Sequence, residues 1–391
     1  MNKIFSKLLG GAVLLCLSAS LFSCEDLFGE WNPPAPVIPA PAARVTTAPV
    51  ATTDDVIAGL TTALVTPGEA DGGKMMYAVT TTNIKPTTTD GFNATVPTAE
   101  GLTASTYYVW YYAKADAMRA DSEISASPIE VTVLPTLNTP LTLEVLTAGT
   151  IIVNNPASGM QYSLNGGAKT AVPNGISING GDLNVGDKVA FYGDGTNIIC
   201  YGVFGTNITG SAEVKVYGNI MSLVDEMGFA TADALSKSAF PSLFANNSTL
   251  KDASGLLLPA TKLSYSCYHT MFYGCTALVK APKNLPAETL EVACYFWMFK
   301  KCTSLIATPK LPATTLALQS YNGVFSDCTS LTNAYVKACY ANSSDMECYN
   351  MFQNCSATAV MHTTSDSQSS WQDMMGSGKT WSTWTVVADW N

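Results

Sequence analysis

Charge is scarce in this chain. Asp, Glu, Lys and Arg make up 13% of its 391 residues, and histidine occurs only at His269 and His362. Lys and Arg number 20 against 30 Asp and Glu, a net charge of −10. No basic cluster is present that could neutralise a phosphate backbone, which excludes nucleic acid as a partner. With so little histidine and no His/Cys spacing of a zinc site, no metal is expected. A phosphate-binding glycine loop, a dinucleotide fingerprint and a Gly-x-Ser-x-Gly elbow are all lacking, so neither catalysis nor a cofactor is expected. His362 lies in a polar stretch with no evident partner. Yet 47% of the residues are hydrophobic, too many for a disordered acidic tail. Low charge with abundant Thr, Ser and Asn suits an extracellular β-rich protein.

Long apolar runs are also missing. The one at the start, Leu8 to Leu15 behind Lys3 and Lys7, is too short for a membrane anchor and has no basic flank after it. Residues 1–23 therefore read as a signal peptide. Leu21-Phe22-Ser23-Cys24 resembles a lipobox, which implies lipidation at Cys24 and attachment to a membrane through the lipid. Without the two leader lysines the net charge becomes −12. Glu25, Asp26 and Glu30 follow and resemble an export signal, which implies an outer-membrane, outward-facing location. Residues 24–43 carry Asn32-Pro33-Pro34-Ala35-Pro36 and Pro39-Ala40-Pro41, the composition of a semi-rigid polyproline tether.

Two β-segments follow. Residues 44–135 hold short apolar runs between turn clusters, with one dense strand from Thr106 to Lys114 and a closing strand at Ile129 to Val133. The string through Met76-Tyr77, Val96-Pro97, Tyr108-Val109-Trp110-Tyr111, Asp116 and Val131 resembles bacterial immunoglobulin-like modules. That resemblance implies a β-sandwich acting as spacer or presenter. Residues 136–218 read as a second β-sandwich, from alternating segments at Leu141–Val145, Lys188–Tyr192 and Ala212–Tyr217 and a hairpin signal at Asn165-Gly166-Gly167.

The remainder repeats. Leu258-Pro259-Ala260 with Leu263, Cys267-Tyr268, Met271-Phe272, Cys275-Thr276 and Leu278 returns as Leu285-Pro286-Ala287 with Leu290, Cys294-Tyr295, Met298-Phe299, Cys302-Thr303 and Leu305. A third copy keeps Leu311-Pro312-Ala313, Leu316, Phe325, Cys328-Thr329 and Leu331, and a fourth keeps Cys348-Tyr349, Met351-Phe352 and Cys355. Prolines 259, 286 and 312 set periods of 27 and 26 residues. Periods of this size signify stacked repeats that bury their apolar faces on one another, a solenoid over 258–356. Residues 219–257, whose Phe240-Pro241-Ser242-Leu243-Phe244 echoes the repeat without cysteine, read as its N-terminal cap; 357–391, rich in Trp, read as its C-terminal cap. Trp371, Trp381, Trp384 and Trp390 could alternatively form a sugar-binding platform.

At about 100° per residue, Cys267, Tyr268, Met271, Phe272, Cys275 and Leu278 fall within an arc of about 140°, so the expectation is one helix per repeat, followed by a short strand or bend. The fold class expected is thus multidomain, β-sandwich and then α/β solenoid. The helix would bury Cys267, Met271, Phe272, Cys275, Leu278, Cys294, Met298, Phe299, Cys302 and Leu305, with Phe325, Cys328 and Leu331 from the third copy. It would turn His269 to solvent, together with Tyr273, Phe296, Trp297, Lys300 and Lys301, a candidate binding face. The cysteines form two columns: 267, 294 and 348, with Ser320 in the third slot, and 275, 302, 328 and 355. A ladder of buried thiols, disulfides between neighbouring repeats and a metal site are the three readings; two Cys eight apart on a helix are separated by ~12 Å, beyond disulfide reach.

The Cys-Tyr-x-x-Met-Phe-x-x-Cys-Thr-x-Leu and Leu-Pro-Ala-x-x-Leu phrases, with the junction Tyr217-Gly218-Asn219-Ile220-Met221-Ser222-Leu223, resemble the BspA-like leucine-rich-repeat surface proteins. That resemblance implies a lipid-anchored, non-enzymatic surface protein whose repeats bind a protein partner in adhesion. A glycan-binding accessory lipoprotein and a purely structural surface component are the alternatives.

Overall fold

The computed structural model describes residues 41–52, 56–116, 119–195, 205–340, 346–373 and 383–390. The leader, Cys24, most of the tether, Cys200 and Trp381 lie outside the described residues. The chain is mostly β and contains several sheets. Among the described residues no helix is long and apolar enough to cross a membrane.

The first unit contains β1 (Arg44–Thr47), β2 (Glu69–Asp71), β3 (Gly73–Thr80), β4 (Ser105–Ala115) and β5 (Ile129–Val133). β1 pairs with β2, and β3-β4-β5 form an antiparallel sheet. Aromatic residues fill both faces of β4. Tyr107 and Val109 enter a core with Leu64, Val65, Tyr77 and Val131. On the opposite face Trp110 is 2% exposed and donates from Nε1 to Thr80 Oγ1 at 3.2 Å, while Tyr112 packs edge-on to Phe92.

The second unit contains β6 (Thr142–Val145), β7 (Ile151–Asn154), β8 (Gln161–Leu164), β9 (Thr170–Ala171), β10 (Lys188–Tyr192), β11 (Asn207–Gly210) and β12 (Val214–Asn219). β12 then pairs in parallel with β13 (Leu250–Leu257), giving a sheet ordered β13-β12-β6-β10-β8-β9. The segments from 136 onward share one apolar core running from Leu141 to Val386.

The junction 217–223 is built into that core. Gly218 sits at φ +88°, and a Cβ there would lie 2.0 Å from the Pro140 carbonyl oxygen. Asn219 is fully buried; its amide donates to Leu137 O and Phe229 O and its oxygen accepts from Met221 N. Ser222 Oγ donates to Phe191 O and accepts from Leu141 N. The buried side-chain polar atoms of Asn219 and Ser222 are thereby matched, as burial requires.

Each repeat contributes one short parallel strand position. Asp252, Lys280, Ala307, Asn333, Val360 and Thr385 are bridged in register, through β13, β14 (Ala307–Leu311), β15 (Asn333–Val336), β16 (Val360–His362) and β17 (Thr385–Val387). The Cys-Tyr-x-x-Met-Phe stretch is not helical, which corrects the α/β expectation. Its backbone alternates. In the second copy the N–H groups of residues 294, 296, 298, 300 and 302 close turns onto carbonyls three residues back. Those of 293, 295, 297, 299 and 301 donate to 318, 320, 322, 324 and 326 in the next copy. A left-handed residue recurs every fourth position: Ala293, Trp297 and Lys301, then Gln319, Gly323 and Asp327, then Met346, Asn350 and Asn354. Two residues point in and two point out, with the backbone bonded along the stack rather than within a helix.

Inside, two aromatic columns run along the stack. Phe244, Phe272, Phe299, Phe325 and Phe352 stack at 5.0–5.7 Å. Phe240, Tyr268, Tyr295 and Tyr321 stack at 5.9–6.0 Å. Trp371, on the helix α1 (Ser365–Gln372), and Trp384 close the far end against Phe352, at 6.1 and 4.9 Å. Trp371 is fully buried and Trp384 4% exposed, and their indole nitrogens donate to Ala338 O and Ser356 O. A sugar platform built on them is thereby excluded: their rings are spent on covering the last Phe.

Candidate binding site

All thirteen residues expected in the repeat core are buried to 0% exposure. The eight described cysteines are free thiols, and seven of them are buried. In the second column each thiol donates to the carbonyl of the Phe one repeat back: Cys275 to Phe244, Cys302 to Phe272, Cys328 to Phe299 and Cys355 to Phe325, at 3.0–3.1 Å. Desolvation holds these thiols protonated, with Cys267 and Cys355 pushed up to about 12. Among the described residues no group of three His, Cys, Asp or Glu is placed to hold a metal. The thiols are part of the frame rather than reactive groups.

The outward positions converge instead. Phe296 and Trp297 meet at 4.7 Å, and Tyr273 stacks on Trp297 at 6.4 Å. Lys300 Nζ lies 4.3 Å from the Trp297 ring, and Lys301 Nζ 5.5 Å from the Tyr273 ring, both in cation–π range. The hydrogen bond to Tyr273, with the nearby charge of Asp327, raises the Lys301 pKa. Tyr273, Phe296, Trp297 and Lys300 are half-buried and Lys301 is exposed. His269 is not solvated: it is half-buried, stacks on Phe296 at 5.1 Å, and burial lowers its pKa. His362 also has partners. Its Nδ1 lies 2.9 Å from Asp389 and its ring stacks on Tyr335 at 4.5 Å.

Tyr273 and Trp297 also line a cleft of about 460 Å³ shared with the second unit. Asn154, Asn155 and Asn207 from the second unit and Ser242, Asn246 and Thr270 from further along the chain line it with them. Sequence reading assigned these asparagines no role, although Asn155 and Asn246 adopt left-handed backbones, at φ +49° and +59°. What sequence lacked was the pairing of β12 with β13, which joins the unit carrying Asn154 and Asn207 to the repeats.

Compared with known proteins, the chain matches no family model, no curated protein and no solved structure.

Proposed function

We propose that this chain is a lipid-anchored, outward-facing surface protein of the BspA-like leucine-rich-repeat kind. Its N-terminal β-sandwich modules, the first immunoglobulin-like, act as spacers, and its short solenoid is a recognition element for a protein partner in adhesion. It is not an enzyme in this reading. The observation that carries it is the cluster of Tyr273, Phe296, Trp297, Lys300 and Lys301, large aromatic and cationic side chains gathered on the outward side of two adjacent repeats. Tyr, Trp and cations are the residue types that concentrate binding energy at interfaces. The repeats need none of them outward, since the inward columns and the backbone ladder hold the stack.

Cells displaying the full chain test the reading. Protease added to intact cells is expected to release the repeats, and adhesion to immobilised matrix proteins is expected to fall at least tenfold in Trp297→Ala. Repeats protected in intact cells, or adhesion indifferent to Trp297, would sink it. A glycan ligand is the second reading, favoured by the chemistry of the cleft.

A further inference from the structure

The cleft beside the aromatic cluster carries an inference about ligand class, resting on the reading of this face as a binding surface. We infer that it takes a neutral oligosaccharide, with Tyr273 and Trp297 as aromatic walls and the amides of Asn155 and Asn246 as partners for sugar hydroxyls.

Three observations lead there. The first is charge: no Asp, Glu, Lys, Arg or His lines the cleft in the described residues. Lys300 and Lys301 lie against the rings of Trp297 and Tyr273 without lining the cleft themselves, and among the described residues no carboxylate lines it for a basic ligand. The second is polarity. Four asparagines, a serine and a threonine are among the ten lining residues, and an amide both donates and accepts, as a sugar hydroxyl does. Asn207 spends its amide on Ser242 O and Ala245 O, and Asn154 donates to Thr209 Oγ1. Among the described residues the side chains of Asn155 and Asn246 have no such partner, and both are exposed. At about 460 Å³ the space lies in the range of small-molecule pockets, about 300–1,000 Å³.

The third observation is that the repeats make room for these side chains. Trp297 lies over Gly323, where an added Cβ would come within 2.7 Å of its Cδ1. Asn246 lies over Gly274, where a Cβ would come within 2.5 Å of its Oδ1. Both glycines occupy left-handed positions, at φ +55° and +71°. Val324, which stands in place of the Met of the pattern in the third copy, follows Gly323 directly.

The test uses the purified full chain in detergent. It is exposed to an array of neutral glucose, mannose and galactose oligosaccharides beside uronic-acid and sulfated ones, and hits are measured by calorimetry. A neutral oligosaccharide is expected to bind. Trp297→Ala should weaken it at least tenfold and Trp297→Phe much less. Asn246→Gly, which keeps the left-handed backbone, should weaken it several-fold, and Tyr349→Ala, exposed elsewhere, should leave it unchanged. Melting curves report whether each variant is folded; if Trp297→Ala is not, Asn246→Gly carries the test. Binding to charged glycans alone, or neutral binding indifferent to both variants, overturns the inference. So does capture of a protein through Trp297 with no glycan bound, which leaves the binding face standing. No glycan binding together with Trp297-independent adhesion removes the underlying reading as well.

Discussion

The thiol of Cys302 donates to the carbonyl oxygen of Phe272, one repeat back, at 3.1 Å. The same oxygen accepts the backbone N–H of Cys275 at 3.1 Å, so both of its lone pairs are used among fully buried residues. The relation recurs along the stack: Phe244 O accepts from Asn247 N and Cys275 Sγ, and Phe299 O from Cys302 N and Cys328 Sγ. Cysteine suits this place because it is small, apolar in bulk and still a donor.

Substitution at Cys302 should separate those properties. Cys302→Ala removes the donor and leaves a small void, at a cost of about 1–3 kcal/mol. Cys302→Ser keeps a donor at nearly the same place and should cost less. Denaturant midpoints measure both. Equal losses for Ala and Ser would mean that the thiol fills space and the hydrogen bond contributes nothing.

Buried thiols also set an alkaline limit. Their ordinary value is 9.0, and desolvation raises it for Cys267, Cys275, Cys294, Cys302, Cys328 and Cys355. Above pH 9 the unfolded chain releases protons that the folded chain keeps, so stability is fully present below 9 and falls as pH rises towards about 12. Each thiol removes up to about 1.4 kcal/mol per pH unit, so six together match a total stability of about 5–15 kcal/mol within one or two units. The buried Tyr268, Tyr295 and Tyr321, whose values burial also raises, add to the loss above pH 10. The denaturant midpoint should be level from pH 7 to 8.5 and drop steeply by pH 10.5. A level profile throughout would contradict protonated, buried thiols.

Much of the frame was legible from residues. The segments read as strands at Lys188–Tyr192 and Ile129–Val133 are β10 and β5, and the in-facing residues of the repeat are buried. The helix was misread for a specific reason. Over the nine residues from Cys267 to Cys275, a period of four and one of 3.6 differ by about one residue, so an angular count places the same side chains inside either way. The missed signal was the small or polar residue at most of the left-handed positions: Ser242, Thr270, Gly323 and Asn350 in one row, Asn246, Gly274, Asp327 and Asn354 in the next, with Trp297 and Lys301 the exceptions in the second copy. Gly, Asn and Asp accept a left-handed backbone more readily than other residues, and an α-helix has no use for one every turn. The cleft was not legible, because its lining comes from residues such as Asn154 and Asn246, 92 positions apart.

Gly323 offers the sharpest check on how that row of positions seats Trp297. At φ +55° any residue but glycine is strained, by about 1–2 kcal/mol for alanine and less for asparagine. Space is a separate matter, since a Cβ of either would lie 2.7 Å from Trp297 Cδ1 and 2.8 Å from Nε1. Gly323→Ala should therefore lower stability more than Gly323→Asn, while both push the indole from its seat by a similar amount. Fluorotryptophan resonances resolve this, with that of Trp297 assigned by its disappearance in Trp297→Phe. In both Gly323 variants it should shift, and those of the buried Trp110, Trp371 and Trp384 should not. An unmoved Trp297 resonance in Gly323→Asn would mean that the glycine serves only the backbone, and that the indole does not depend on it for its place beside the cleft.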